Sequence, residues 1–149
     1  MLSPMNFPAS IRSPETSILI VDDNIQYTIV LKTILRGVFG YKAIESVEDP
    51  EEAIELLRAN PQGYQLLFVD YNFPSGQTGG ELLDRLQAEK LLEGKIAFLI
   101  TSEPTVENQK QAVAAGALGV VAKPFDRDAL KQQLEKAERW VQSQQAESF

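Results

Sequence analysis

Short apolar segments alternate along this chain with longer stretches in which apolar residues recur every three or four positions. Four of the short segments are nearly continuous apolar runs, which is typical of strands buried on both faces of a sheet. A fifth alternates apolar and polar residues, as a half-buried strand does. The predicted strands are residues 18–21, 41–47, 66–69, 96–100 and 119–122.

A predicted helix follows each predicted strand, and local signals mark several helix ends. Asp49 is predicted to be an N-cap, followed by Pro50 as the first helical residue. Glu52 would complete a capping box with Asp49. Gly116 stands where a left-handed helix cap is expected, and Asp126 is placed to cap the last helix. Strands that alternate with helices predict a doubly wound α/β fold, in which five helices cover a five-stranded parallel sheet in a single domain.

The two ends of the chain differ in composition from this central region. Residues 1–16 contain three prolines and three serines, and residues 142–149 are mostly polar. We therefore expect a flexible amino-terminal tail over residues 1–16, a domain over residues 17–141, and a carboxyl-terminal tail over residues 142–149. The first of these segments lacks the apolar stretch of a signal peptide, and no run reaches the length of a membrane span. A cytoplasmic protein without membrane contact is the expectation.

Composition excludes several classes of chemistry. The net charge of −7 argues against an independent nucleic-acid binder, which would carry a basic surface. Cysteine is absent, so the chain has no thiol nucleophile and no thiolate metal site. Histidine is absent as well, which excludes a phosphohistidine and a histidine-bound zinc. Any metal ion must therefore be held by oxygen atoms.

Polar residues stand directly after four of the predicted strands. Asp22 and Asp23 follow the first strand, Asp70 the third, Thr101 the fourth and Lys123 the fifth. Because the carboxyl ends of parallel strands meet at one edge of the sheet, we expect these side chains to converge where open α/β sheets bind ligands. Carboxylates suit a hard divalent cation, and an ammonium group with a hydroxyl suits a phosphoryl group.

Each of these residues also has a simpler interpretation. Aspartates at positions 22 and 23 would serve as caps of the first helix, and a lysine at a strand end can extend along the surface into water. Threonine is common at strand ends. The capping interpretation leaves Asp70 and Lys123 unexplained. Whether the Lys123–Pro124 peptide bond is cis or trans is not decided by the sequence.

Taken in order, these motifs resemble the receiver domain of two-component response regulators, and the resemblance covers about residues 16–141. The matching motifs are Asp22-Asp23, Asp70 with Pro74, Thr101-Ser102 and Lys123-Pro124-Phe125. The resemblance implies a flavodoxin-like fold in which Asp70 accepts a phosphoryl group. The donor would be a phosphohistidine on a sensor histidine kinase or a histidine phosphotransfer protein. Such a domain is a regulator that catalyses only its own phosphorylation and dephosphorylation.

The resemblance also assigns roles within the site. It implies a Mg²⁺ or Mn²⁺ ion bound by Asp23, Asp70 and the backbone carbonyl of Asn72, with Asp22 acting through a water molecule. The groups that would hold the phosphoryl oxygens are Thr101, Ser102 and Lys123.

The resemblance assigns two further pairs of residues, one to signalling and one to the lifetime of the phosphorylated state. Thr101 and the residue at position 120 would form the switch, but position 120 holds valine where the family pattern has an aromatic residue. Because valine is small and stiff at χ1, the usual aromatic coupling is not expected here. Asn72 and Glu103 resemble the pair that tunes dephosphorylation in chemotaxis regulators, which predicts a short-lived phosphorylated state.

Two other functions remain open at the level of sequence. One is an unphosphorylated interaction module with the receiver fold, which Val120 favours and the intact Asp70 and Lys123 oppose. The other is a Mg²⁺-dependent phosphohydrolase of haloacid-dehalogenase type, whose nucleophile follows the first strand in an Asp-x-Asp arrangement that this chain lacks. The sequence names no downstream partner. Pairing of two copies through the last two helices is compatible with the resemblance, but no residue specifies it.

Overall fold

The sheet consists of five parallel strands in the order β2-β1-β3-β4-β5 in the computed structural model, which describes residues 7–146. The strands are β1 (Ser17–Val21), β2 (Ala43–Val47), β3 (Leu66–Asp70), β4 (Ile96–Thr101) and β5 (Gly119–Ala122). The helices are α1 (Ile25–Gly37), α2 (Pro50–Ala59), α3 (Gly79–Ala88), α4 (Val106–Ala114) and α5 (Arg127–Ala146). The predicted doubly wound α/β fold is confirmed.

Alternating side chains of each strand enter two separate apolar layers, one on each face of the sheet. On one face, Leu19 and Leu67 pack beneath α2, α3 and α4. On the other face, Ile18 and Phe68 pack beneath α1 and α5, and the rings of Phe68 and Phe98 stack 5.5 Å apart. Both faces are covered, which explains why the central strands are apolar at nearly every position.

The register brings the carboxyl ends of the strands to a common edge. Pairs at this edge are Val21 with Val69, Asp70 with Ile100, and Thr101 with Ala122. The residues that end or follow β1, β3, β4 and β5 therefore lie side by side.

Several helix boundaries agree with the sequence signals and others are shifted. Asp49 caps α2, with its side chain accepting a hydrogen bond from the Glu51 N–H group, and Gly116 has a φ of 102° after α4. The predicted capping box with Glu52 is wrong in its location, because the reciprocal pair of bonds is found at the start of α3. Strand β2 begins at Ala43, two residues later than predicted. Tyr41 instead turns its buried hydroxyl group toward the segment before β1.

The structure places packed residues where the sequence predicts flexible tails. Ile11 is fully buried, and its N–H group donates to the Glu138 carboxylate at 2.9 Å. The Phe7 ring meets the Trp140 ring edge to face at 4.7 Å. Helix α5 continues to Ala146, past the predicted end of the domain. We call residues 7–16 together with residues 136–146 the terminal clamp.

The outermost parts of both predicted tails, residues 1–6 and 147–149, lie outside the described residues. Within residues 7–146, none of the helices combines the length and hydrophobicity that crossing a bilayer requires.

Candidate functional site

A lysine and two aspartates form the centre of the site at the carboxyl edge of the sheet. The Lys123 Nζ atom lies 3.1 Å from Asp22 Oδ2 and 3.2 Å from Asp70 Oδ1. Both aspartates are buried, with 2% and 8% of their surface exposed. The predicted convergence of side chains from β1, β3 and β5 is thus present in the structure.

Hydrogen bonds hold both the backbone and the side chain of Asp22 in place. The Asp22 N–H group donates to the Val47 carbonyl, which extends the pairing of β1 with β2 by one residue. The Asp22 Oδ1 atom accepts from the Asn24 N–H group at 2.9 Å. Since Asn24 itself caps α1, Asp22 and Asp23 are not used as caps, and the simpler interpretation of this pair does not hold.

Burial and neighbouring charge shift the pKa values of the central pair. Burial raises the pKa of Asp70 to about 6, and the negative charge of Asp22 acts in the same direction, while Lys123 opposes it. Burial alone would lower the pKa of Lys123, but attraction to Asp70 and Asp22 raises it above its ordinary value. The site therefore holds a permanent cation against a carboxyl group that ionises reluctantly.

Three carboxylates are close enough to share a metal ion. One oxygen from each of Asp22, Asp23 and Asp70 lies within 4.8 Å of the others. These are hard oxygen donors, and their number leaves room for water molecules, as Mg²⁺ prefers. The donor set fits the cation that the resemblance implies. Asn72, whose carbonyl would be a fourth ligand, is exposed in the loop after β3 and forms an isolated bridge with Thr78.

The other predicted phosphoryl-binding residues lie at the end of β4. Thr101 is buried, and its hydroxyl oxygen accepts a hydrogen bond from the Glu103 N–H group at 3.1 Å. A hydroxyl that accepts in this way keeps its own proton for another acceptor, such as a phosphoryl oxygen. Ser102 and Glu103 are exposed beside it. Lys123 lies next to Thr101 through the hydrogen bond from its N–H group to the Thr101 carbonyl at 2.8 Å.

Position 120 lies on the same face of the sheet as Thr101, because Val120 pairs with Leu99, which precedes Thr101 by two residues on β4. Val120 is half-buried and packs against the apolar layer beneath α2, α3 and α4. The neighbouring Val121 enters the opposite layer. A valine side chain at this place has one small branched end and no polar atom, so it offers no hydrogen bond to Thr101.

Two residues of the site were not found from the sequence. The Tyr27 ring lies with its centroid 4.5 Å from Lys123 Nζ, and it meets the Phe125 ring edge to face at 6.0 Å. A Cβ atom on Gly79 would lie 2.3 Å from the backbone oxygen of Asp70. An aromatic residue in the first turn of α1 and a glycine at the start of α3 were the available signals, but neither is specific without the fold.

Known proteins are similar to this chain in sequence and in fold. The sequence profile described as "Response regulator receiver domain" matches residues 18–135. Chemotaxis protein CheY of Pseudomonas aeruginosa is 32% identical over 119 residues, covering 80% of this chain and 93% of that protein. The structure of CheY4 of Vibrio cholerae has a TM-score of 0.71 at 24% identity, covering 82% and 98% of the two chains.

A third neighbour was solved as a complex. It is the receiver domain of Ssk1 from Saccharomyces cerevisiae, bound to the histidine phosphotransfer signalling protein Ypd1. Its TM-score is 0.69 at 21% identity, covering 81% of this chain and 87% of that one, so it supports the fold alone.

Proposed function

This chain belongs to the response regulator receiver domain family of two-component signalling, and we propose that it is a phosphorylatable switch whose phosphoacceptor is Asp70. The observation that carries the proposal is the Asp70 carboxylate, which lies 3.2 Å from the Lys123 ammonium beside two further aspartates. A structural ion pair would need one carboxylate and one cation. The additional carboxylates are explained if a further positive charge, such as a divalent cation, binds in the site.

Phosphoryl transfer to Asp70 requires little more than positioning and charge neutralisation. A carboxylate oxygen of Asp70 attacks the phosphorus atom, and the P–N bond to the donor imidazole breaks as the O–P bond forms. The electron pair of the broken bond stays on the imidazole nitrogen, which takes up a proton. Lys123 and the Thr101 hydroxyl stabilise the charge on the phosphoryl oxygens, with Ser102 as a further donor at the rim.

Asp23 and Asp70, together with the Asn72 carbonyl, would hold a Mg²⁺ or Mn²⁺ ion, and Asp22 would contact it through water. When bound, the cation supplies positive charge that offsets the repulsion between the carboxylates and the incoming phosphoryl group. Asp22 already has one oxygen bound to the Asn24 N–H group and the other close to Lys123, which favours an indirect role for it.

The phosphoryl donor must be another molecule, because the chain has no histidine. By analogy with the Ssk1 receiver domain in its complex with Ypd1, a histidine phosphotransfer protein or sensor kinase is the proposed donor. Helix α1 offers a surface beside the site, since Ile25 and Ile29 are 60% and 57% exposed in its first two turns. Lys32 and Arg36 continue this face, so an apolar patch with an acidic rim is the complementary surface on the donor.

The unphosphorylated interaction module is retained as a second candidate because of one observation. Val120 lacks the aromatic ring by which the resemblance implies that the switch is read out. A single experiment separates the two functions. The full chain is incubated with Mg²⁺ and acetyl phosphate, and its intact mass is followed with time.

A mass gain of one phosphoryl group in the wild-type protein and none in Asp70→Asn supports the proposal. The matched control is Asp84→Asn, which alters an exposed aspartate on α3 and is expected to react like the wild type. Equal labelling of Asp70→Asn and wild type would place the modification elsewhere. Absence of labelling in the wild type, with Mg²⁺ binding intact, would favour the interaction module.

A further inference from the structure

We infer that Tyr71 carries the state of Asp70 to helix α4 through a hydrogen bond between its hydroxyl group and Gln111. The inference rests on the proposed function of Asp70. It assigns Tyr71 a positioning and signalling role, with no part in the chemical step.

The backbone of Tyr71 is anchored at the phosphoacceptor. Its N–H group donates to Asp70 Oδ1 at 3.0 Å and also to the Ile100 carbonyl at 2.9 Å. Its carbonyl accepts from the Gly79 N–H group at 2.8 Å. Tyr71 is therefore held between β4 and the start of α3, with one of its hydrogen bonds made to the reacting carboxylate itself.

The side chain of Tyr71 crosses from this point to α4. Its hydroxyl group donates to Gln111 Oε1 at 2.7 Å, and the Gln111 amide donates to Glu107 one turn earlier at 3.3 Å. The ring packs against the apolar layer beneath α2, α3 and α4. It also borders a cavity of about 270 Å³ between α3 and α4, which leaves space for the ring to move.

Helix α4 has few other attachments that would resist a movement of Tyr71. Within its bounds only Ala112 is buried, and Val106 and Val113 are exposed. At its carboxyl end, the Gln87 amide donates to the Ala115 carbonyl. Among the side-chain hydrogen bonds within residues 7–146, the bond from Tyr71 is the one that joins α4 to a residue adjacent to Asp70.

Phosphorylation changes the acceptor that faces the Tyr71 N–H group. A carboxylate oxygen carries negative charge, whereas the carbonyl oxygen of an acyl phosphate does not, and hydrogen bonds to charged acceptors are roughly twice as strong as neutral ones. Formation of the acyl phosphate therefore weakens the hydrogen bond from the Tyr71 N–H group to Asp70. The set of hydrogen bonds that holds Tyr71 in its position then changes. Gln111 transmits the change to α4, a route that does not use Val120.

Hydrogen exchange of α4 tests this link in the chain of residues 1–149. Exchange of the amides of Asp70 and of residues 106–114 is measured with Mg²⁺, before and after addition of beryllofluoride as a phosphoryl mimic. The variants are Tyr71→Phe, which removes only the hydroxyl group, and Gln111→Leu. Gln109→Leu is the control, because within residues 7–146 the Gln109 side chain donates to the Pro104 carbonyl in the loop before α4 and has no bond to Tyr71.

We expect the response of α4 to beryllofluoride to fall about fivefold in Tyr71→Phe and Gln111→Leu, as loss of one hydrogen bond predicts. The control should respond like the wild type. A full response of α4 in both variants overturns the inference. If the wild type shows no change at the amide of Asp70 itself, the proposed function fails instead, so the two failures are distinguishable.

Discussion

The Lys123 ammonium group lies 4.5 Å from the centroid of the Tyr27 ring, on a lysine that also contacts two carboxylates. The Tyr27 ring covers one side of the ammonium group, and the Phe125 ring contacts the Tyr27 ring edge to face. A cation held over an aromatic face gains roughly 0.5 to 1 kcal/mol at partly exposed sites. Tyr27 therefore helps to keep the ammonium group beside Asp70.

Replacement of Tyr27 by leucine should slow phosphorylation by acetyl phosphate about two- to fivefold, because it removes the cation–π contact. Tyr27→Phe is the control, since it keeps the ring and loses only the hydroxyl group. Rates are measured at saturating Mg²⁺ from the rise in intact mass. Equal slowing of both variants would show that the ring face is not what matters.

Substitution of Gly79 tests how closely the start of α3 packs against the backbone of Asp70. A Cβ atom there would lie 2.3 Å from the Asp70 backbone oxygen and 2.8 Å from a Leu99 methyl group. We expect Gly79→Ala to lower the free energy of unfolding by about 1 to 3 kcal/mol and to slow phosphorylation. At Gly80 the nearest atoms are 3.8 Å away, so Gly80→Ala should be close to neutral in a urea titration.

The pKa of Asp70 predicts the pH dependence of the metal-free protein. Folding raises this pKa from 3.8 to about 6, so the folded state binds the proton more tightly. The free energy of unfolding therefore falls as pH rises from about 4 through 6. The fraction of Asp70 in the reactive carboxylate form rises over the same pH range. The titration is followed by NMR of the Asp70 carboxyl carbon. Lys123→Met should move the midpoint upward, and Mg²⁺ should move it downward; no displacement by either would contradict the assigned causes.

The terminal clamp should contribute to stability and leave the chemistry unchanged. Ile11 is fully buried, so Ile11→Ala should cost about 2 to 5 kcal/mol in the free energy of unfolding. Val38→Ala, at an exposed apolar position, should cost about 0.5 kcal/mol or less. Phosphorylation rates should be equal in both variants. The terminal clamp lies at the amino ends of the strands, whereas Asp70 lies at their carboxyl ends. A large loss of rate in Ile11→Ala alone would contradict this separation.

Asn72 and Glu103 predict a short lifetime for the phosphorylated state. Both side chains are exposed at the rim of the site and leave the approach of water open. We expect isolated, Mg²⁺-loaded protein to lose its phosphoryl group quickly after the donor is removed, and bulky apolar substitutions at either position to prolong the signal. A half-life of many hours in the wild type would refute the prediction.

The sequence predicted the fold and the central cluster because both depend on a repeating local pattern. Asp22, Asp70 and Lys123 each end an apolar run, and parallel strands bring such ends together whatever the loops do. Tyr27, Gly79 and the bond between Tyr71 and Gln111 depend on the relative placement of helices, which no local pattern encodes. Ile11 is a single apolar residue among prolines and serines, so neither helical nor strand periodicity marks it as part of the core.

The terminal clamp has a consequence for the order of folding. The bond from Ser10 to Glu138 joins positions 128 residues apart and so closes almost the whole chain into a ring. Closing so large a loop costs entropy that is recovered only when the intervening elements are already compact. We therefore expect the clamp to form last during folding. For the same reason, tension applied between the two ends of the chain should open the clamp before the sheet that carries Asp70.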